Sequence, residues 1–328
     1  MSDTKNWDIF FYETFEEEEQ ELRRYLNARI KAGFTKQTIQ ESGHARPPAS
    51  FISIRTQSLL PEAWGRQLKA ILSRSTGYNH LLAYRNQTQT TAELGYLPLY
   101  CNRAVAEQAL TLWMNLLRKL PRQIEQFRQF NRDGLSGYEC AAKNLLVVGV
   151  GNIGHEVVRI GRGMDMQVQG VDIVKRFDDV EYVDIDSGIK EADVIVCAMN
   201  LTPQNRGYFN YQVLKKAKPG VIFINIARGE LSPAVDLLRL IEEGHLGGLA
   251  LDVFDEESAL AVHLRNGEPA RHPAVIATLK LADKPNVIFT PHNAFNTIEA
   301  TRRKSEQSAR QVEQMMETGG FIWPIPEK

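Results

Sequence analysis

Cysteine is scarce in this chain. Cys101, Cys140 and Cys197 are the only three among 328 residues, and no two are spaced as CxxC. An odd, scattered set argues against a disulfide framework and a zinc site and suits reduced intracellular thiols. Long apolar runs are also missing. No stretch reaches the roughly 18 apolar residues of a membrane-spanning helix; the nearest, 104–120, is interrupted by Glu107, Asn115, Arg118 and Lys119. Neither sign of charge is in excess. Lys and Arg number 39 against 40 Asp and Glu, so composition gives no reason to expect a nucleic-acid or anionic-membrane partner. The N-terminal stretch lacks a basic region followed by an apolar one and runs into Glu16, Glu17, Glu18 and Glu19, unlike a secretory or transit signal. Fixed-period repeats and low-complexity segments are absent as well. What is present is a globular composition, 43% hydrophobic and 24% charged. At about 150 residues per domain the length suits roughly two domains. The expectation is a two-domain cytoplasmic protein without a bound metal.

Short apolar runs at 7–12, 51–54 and 70–72 read as strands, and 16–26 reads as a charged helix. This βα alternation predicts a parallel sheet covered by helices. Ala106, Leu110, Trp113, Leu117 and Leu120 then recur at helical spacing, and Ile124 and Phe127 extend that face beyond Pro121, which should kink or restart the helix. From 145 the rhythm becomes regular. Strands are expected at 145–148, 168–172, 194–198, 221–226, 249–253 and 287–289, most of them separated by helical stretches, which is the pattern of a doubly wound sheet. Residues 258–284 interrupt it and read as a long loop with a short helix. Residues 298–316 read as a polar helix.

The apolar run 145–148 leads into Gly149-Val150-Gly151-Asn152-Ile153-Gly154 and then a helical stretch. A strand, a GxGxxG turn and a helix in this order suit a pyrophosphate. The first glycine makes the turn, the second admits the phosphates to the backbone, and the third lets helix and strand pack closely; the helix N-terminus supplies free N–H groups. Asp172 closes the next strand, eighteen residues past Gly154. A carboxylate there accepts from ribose hydroxyls and repels a 2′-phosphate, which favours NAD over NADP. Lys175 and Arg176 follow and are the alternative seat for such a phosphate.

Three charged residues follow apolar strands further on: Arg228, Glu257 and His292. Doubly wound sheets bind ligands beyond their strand ends. Arg can clamp a carboxylate through two hydrogen bonds, His can exchange a hydroxyl proton near neutral pH, and an acid can orient the imidazole. Together they suit an oxidoreductase acting on a carboxylate-bearing alcohol or ketone.

On these segments the sequence resembles the D-isomer-specific 2-hydroxyacid dehydrogenases, in their D-lactate-dehydrogenase-like branch. The resembling stretches are the glycine loop with Asp172, the runs 225–229, 251–257 and 290–295, and upstream Arg74-Ser75-Thr76-Gly77-Tyr78-Asn79-His80 and 100–107. The resemblance implies two doubly wound α/β domains with a cleft between them: a flavodoxin-like substrate domain at 1–100 completed by 293–328, and a Rossmann NAD-binding domain at 101–292. It implies Arg228, Glu257 and His292 as catalytic, and Thr76, Gly77 and Tyr100 as substrate-binding. Gly149, Gly151, Asn152, Ile153, Gly154, Asp172, Val105, Met199, Asn205, Ile226 and Asp252 would bind the cofactor. The substrate would be a small 2-keto or 2-hydroxy acid and the assembly a homodimer. Asn200 stands where the family usually has proline, and Glu257 lacks the usual following proline. Two other readings stay open. One is a phosphoglycerate-type dehydrogenase, and the other a nucleotide-sensing corepressor on the same fold.

Overall fold

A computed structural model of the chain describes residues 6–267 and 269–326; residues 1–5, 268, 327 and 328 of the expected domains lie outside them. The chain divides into two compact units, Met1–Cys101 with Asn296–Lys328, and Asn102–Phe295. The first unit carries β1 (Ile9–Phe11), α1 (Glu16–Tyr25), β2 (Ala32–Phe34), α2 (Ile39–Ser42), β3 (Phe51–Ile54), β4 (Ala70–Ser73), α3 (Asn79–Thr88) and β5 (Glu93–Gly95). The second carries α4 (Asn102–Leu117), α5 (Leu120–Phe127), β6 (Asn144–Val148), α6 (Asn152–Gly163), β7 (Gln167–Val171), β8 (Glu181–Tyr182), α7 (Ile185–Glu191) and β9 (Val194–Cys197). It continues through α8 (Tyr211–Leu214), β10 (Val221–Asn225), α9 (Ala234–Glu242), β11 (Leu246–Leu251), α10 (Glu257–Asn266), α11 (Pro273–Ala282) and β12 (Val287–Phe289). The chain then returns to the first unit with α12 (Ile298–Thr318).

Both sheets are parallel. The first has order β2-β1-β3-β4-β5, the flavodoxin-like order, and the second β12-β11-β10-β9-β6-β7-β8, with β6 and β9 side by side where the winding reverses. β3, β4, β9 and β10 are buried along their whole length. Helices on both faces require this and leave near-continuous apolar runs in the sequence. β2, β5 and β8 had no such signature. They are two or three residues long, too short for a pattern, and pairing with a neighbouring strand makes them.

The amphipathic segment after 102 is two helices. Lys119 takes φ 51° between them and Pro121 opens the second, where its missing N–H costs nothing. Residues 258–284 differ from expectation: they form two ten-residue helices, α10 and α11. α11 starts on Pro273 behind a His272 cap and buries Ala274, Val275, Ala277, Thr278 and Leu281. Its spacing is helical, but alanine and threonine give weak hydrophobic signals. α10 buries only Leu260, so its sequence carried almost none.

One buried ionic cluster organises the first unit. Arg74 is wholly buried and reaches Glu18 Oε1 (2.9 Å), Ser53 Oγ (2.9 Å) and the Tyr12 carbonyl (2.6 Å), so one guanidinium ties α1, β3 and the end of β1 together. Lys304 of α12 meets the same Glu18 oxygen at 3.0 Å. Burial alone would raise the Glu18 carboxyl; the Lys304 ammonium and the Arg74 guanidinium outweigh it and hold it down at about 2. Gln311 of α12 closes the unit, donating to the Tyr96 carbonyl (2.9 Å) and accepting from the Ile322 N–H (2.7 Å).

Candidate active site

The glycine loop sits at the ends of β6 and β9. Gly149 has φ +94°, and a Cβ there would lie 2.5 Å from Met199 backbone atoms, so only glycine lets the two strand ends meet. A Cβ on Gly154 would strike the Gly149 carbonyl, whereas Gly151 has open space beside it. Gly151 is also the N-cap of α6, with no side chain bonded to its first turn. Bare N–H groups with room in front of them are what a pyrophosphate needs. Asn152 and Ile153 open the helix. Asp172 lies one residue past β7, where its Oδ2 accepts from the Val150 N–H (2.7 Å) and its Oδ1 from the Val174 N–H (3.0 Å). These bonds hold the carboxylate beside the loop and leave lone pairs for ribose hydroxyls. Arg176 Nη1 donates to Asn152 Oδ1 at 3.3 Å, so the basic pair also borders the helix start. The residues present therefore fit an NAD pyrophosphate and ribose.

Arg228, Glu257 and His292 stand past the ends of β10, β11 and β12, which are neighbours in register. Glu257 Oε1 meets His292 Nδ1 at 2.7 Å, and both side chains are about one-third exposed, at 39% and 34%. Both ends of this pair have costly backbone. His292 has φ 50° and Glu256, next to Glu257, φ 56°; a non-glycine residue held there costs roughly 1–3 kcal/mol and persists only where its surroundings enforce it. For His292 the enforcing group is Asp252. Its Oδ1 accepts from Thr290 Oγ1 (2.5 Å) and the Asn293 N–H (2.9 Å), and its Oδ2 from the Ala294 N–H (3.0 Å). Burial pushes the Asp252 carboxyl up, while Thr290 and the two N–H groups pull against it. These bonds to Asp252 brace the turn that carries His292.

The Arg228 turn is braced by a residue that the sequence reading passed over. Asn225 is wholly buried; its Nδ2 donates to the Arg228 carbonyl and to Ser232 Oγ, both at 2.8 Å, and its Oδ1 accepts from the Ala227 N–H (2.9 Å). A polar residue ending the run Val-Ile-Phe-Ile was the available signal. Gly229 is the second omission, since a Cβ there would overlap the Phe254 carbonyl carbon at 1.8 Å. The Arg228 turn thus lies directly against the segment leading to Glu257. Val105 and Ile226 are buried, and Met199 is partly so. Asn205 uses its amide locally, accepting from the Thr202 N–H (2.7 Å) and donating to the Asn200 carbonyl (2.8 Å), which shapes the turn where the expected proline is missing.

In the first unit, the Thr76–Gly77 loop follows β4. Thr76 Oγ1 bonds the Leu97 carbonyl (3.2 Å), Ser75 Oγ the Gly77 carbonyl (2.6 Å), and Ser73 Oγ meets His80 Nε2 at 3.0 Å. Tyr100 is buried, and Arg303 Nε donates to its carbonyl at 2.9 Å. Among the described residues no group of His, Cys, Asp and Glu could hold a metal, and no helix is long and apolar enough to cross a membrane.

A glycine-turn Rossmann sheet with an acid on its second strand, and an Arg, Glu and His past adjacent strands, defines a nucleotide-dependent dehydrogenase. Comparison with known proteins agrees. Residues 110–294, more than half of the chain, match the family of D-isomer specific 2-hydroxyacid dehydrogenases through its NAD binding domain. The chain is 32% identical over 253 residues to 2-hydroxyacid dehydrogenase A of Aspergillus oryzae, covering 74% of this chain and 70% of that protein. It is 28% identical over 267 residues to D-lactate dehydrogenase of Escherichia coli, covering 78% and 79%. The crystal structure of D-lactate dehydrogenase from Aquifex aeolicus with NAD and lactic acid superposes with a TM-score of 0.82 at 26% identity, over 98% of this chain and all of that one. The chain belongs to the D-isomer-specific 2-hydroxyacid dehydrogenases. It is an NAD-dependent 2-hydroxyacid dehydrogenase of the D-lactate-dehydrogenase-like kind.

Proposed function

We propose that this enzyme interconverts a small 2-keto acid and the D-2-hydroxy acid, with Arg228, Glu257 and His292 as its working residues. The observation that carries the reading is the 2.7 Å contact between Glu257 Oε1 and His292 Nδ1 beside the Arg228 turn. With Nδ1–H donated to the carboxylate, Nε2 is the nitrogen that gives a proton to the carbonyl oxygen on reduction and takes it back on oxidation. Arg228 grips the substrate carboxylate and polarises the carbonyl. The cofactor, when bound, supplies the hydride on reduction and takes it on oxidation. The glycine loop and Asp172 hold its pyrophosphate and ribose, and Val105, Met199, Ile226 and Asp252 flank its nicotinamide half, with Asn205 nearer the phosphates. The first unit serves as the substrate domain: Thr76 and Gly77 offer N–H groups to the carboxylate, and Tyr100 lines the substrate side.

The test is a panel of 2-keto acids with NADH and with NADPH, following loss of reduced-nicotinamide absorbance. Turnover should occur with NADH, and NADPH should be poorer by about tenfold or more, because Asp172 disfavours a 2′-phosphate. Equal rates would move the phosphate seat to Lys175 and Arg176. No turnover on any keto acid would favour the corepressor reading.

The enzyme works as a cytoplasmic homodimer in this proposal. Three buried, unpaired thiols support a reducing setting. The segment from α5 onward leaves the large apolar side chains Ile124, Phe127, Phe130 and Tyr138 exposed at 65%, 73%, 72% and 64%, which a partner copy would cover. Light scattering should give twice the chain mass, and Phe127→Glu with Phe130→Glu should give monomers. A parent protein that is already monomeric would remove the dimer.

A further inference from the structure

One histidine lies beside the glycine loop and is not used by the reaction above. His155 stands on the first turn of α6, three residues past Asn152. Its ring lies flat against that of Phe177, with centroids 3.9 Å apart and planes within 1°. Its Nε2 meets both oxygens of Asp179, at 2.9 and 3.1 Å, and the imidazole is only 21% exposed. Phe177 and Asp179 belong to the segment 173–180, which follows Asp172 and leads to β8. The same segment gives the Val174 N–H to Asp172 Oδ1 (3.0 Å) and the Arg176 guanidinium to Asn152 Oδ1 (3.3 Å). Ile173, Val174, Lys175, Arg176 and Asp178 are exposed, so little apolar packing holds it down. The charges around His155 are few. Arg162 of α6 shares Asp179, reaching Oδ2 at 3.2 Å and also its carbonyl. Arg176 lies 5.4 Å from the Phe177 ring centre. Glu156, next to His155, is taken by Arg159 (2.8 Å) and by Arg103 of α4 (3.4 Å). His155 above all holds the Asp179 carboxyl below the usual carboxylate range, so this acid stays charged while an imidazole titrates.

We propose that His155 is a positioning residue for the dinucleotide: held between Phe177 and Asp179, it fixes the segment after β7 against α6, and its protonation tightens the hold on NADH. This rests on the proposed seat of the cofactor at the glycine loop and Asp172 and adds a group that keeps that seat in shape. An imidazolium bonds a carboxylate more strongly than a neutral imidazole does. Below neutral pH the clasp is therefore firmer, and above it Arg162 and the ring stacking hold the segment alone. A segment that is docked only part of the time weakens the apparent affinity by the docked fraction, because Asp172 and Asn152 then lose the partners it supplies.

The experiment measures the Kd of NADH from nicotinamide fluorescence at about pH 6 and about pH 8.5, on either side of imidazole titration. The parent should bind about two- to fivefold more tightly at the lower pH, the size expected of a part-exposed ion pair. Asp179→Asn removes the charge opposite His155, and His155→Phe keeps a ring against Phe177 without a proton to exchange. Both should bind equally at the two pH values, and His155→Phe should bind more tightly than His155→Ala. Asp179→Asn, at an exposed position, carries the pH test if His155→Phe does not fold. A parent without the pH response, a response that survives in Asp179→Asn or in His155→Phe, or a His155→Ala protein that binds as the parent does at the lower pH overturns the proposal. Asp172→Ala separates this from the seat itself. If it binds NADH as tightly as the parent, the proposed seat falls and the role of His155 with it. A weakened Asp172→Ala beside unaffected His155 variants removes the role of His155 alone.

Discussion

Replacing His292 by Gln should lower kcat in both directions by about 10²–10⁴-fold, the range a positioned acid–base group contributes, while NADH still binds. Gln cannot exchange a proton at Nε2, yet nothing that holds the glycine loop or Asp172 involves His292. Nucleotide binding is read from nicotinamide fluorescence, and turnover from absorbance. Glu257→Gln keeps an acceptor opposite Nδ1 but removes its charge, so it should reduce turnover less than His292→Gln. Asp252→Asn offers a different signature. It weakens the acceptors that hold Thr290, Asn293 and Ala294 and with them the φ 50° backbone of His292, so kcat should fall together with stability. A fully active His292→Gln enzyme would end the mechanism.

The largest expected loss of stability comes from Glu18→Gln. That change leaves Arg74 and Lys304, both buried, without the carboxylate they share. Removing one partner of a buried ionic cluster typically costs about 3–5 kcal/mol, to be read from urea unfolding of parent and variant. The same carboxyl sets an acid limit. Its value is about 2 in the folded chain against 4.5 unperturbed. A group depressed on folding adds stability above its unfolded value and loses it as pH falls toward the folded one. Parent stability should therefore drop between about pH 4.5 and pH 2, and Glu18→Gln should lose part of that slope. Adding Lys304→Met to Glu18→Gln removes one stranded cation and should recover some of the deficit. A Glu18→Gln protein as stable as the parent would show that the cluster contributes nothing.

Much of this architecture was legible along the chain because parallel sheets bury whole strands. The runs at 145–148, 194–198, 221–226 and 287–289 could be read as strands within a residue or two, since no polar face interrupts them. The glycine turn was legible for a similar reason. Gly149 and Gly154 stand where any side chain would collide with Met199 or with the Gly149 carbonyl, so only glycine fits at those two places in the turn. Residue type also determined which groups could do chemistry: Arg228, Glu257 and His292 follow apolar strands, and their types suit a carboxylate, a proton and its orientation.

Tertiary structure alone decided the rest. The strands β2, β5 and β8 exist only because a neighbour pairs with them, and α11 because packing covers alanine and threonine as well as it covers leucine. Position along the chain could not show that Glu18, Arg74 and Lys304 meet, because charges far apart in sequence become partners only where helices α1 and α12 bury them together. The same holds for Asp252 and Asn225. As letters they are polar residues at strand ends; in the fold they are the acceptors and donors that brace the left-handed turn at His292 and the turn that carries Arg228. Composition and spacing determined the class of this protein, while burial, which turns ordinary polar side chains into obligatory hydrogen-bond partners, decided how its candidate site is held.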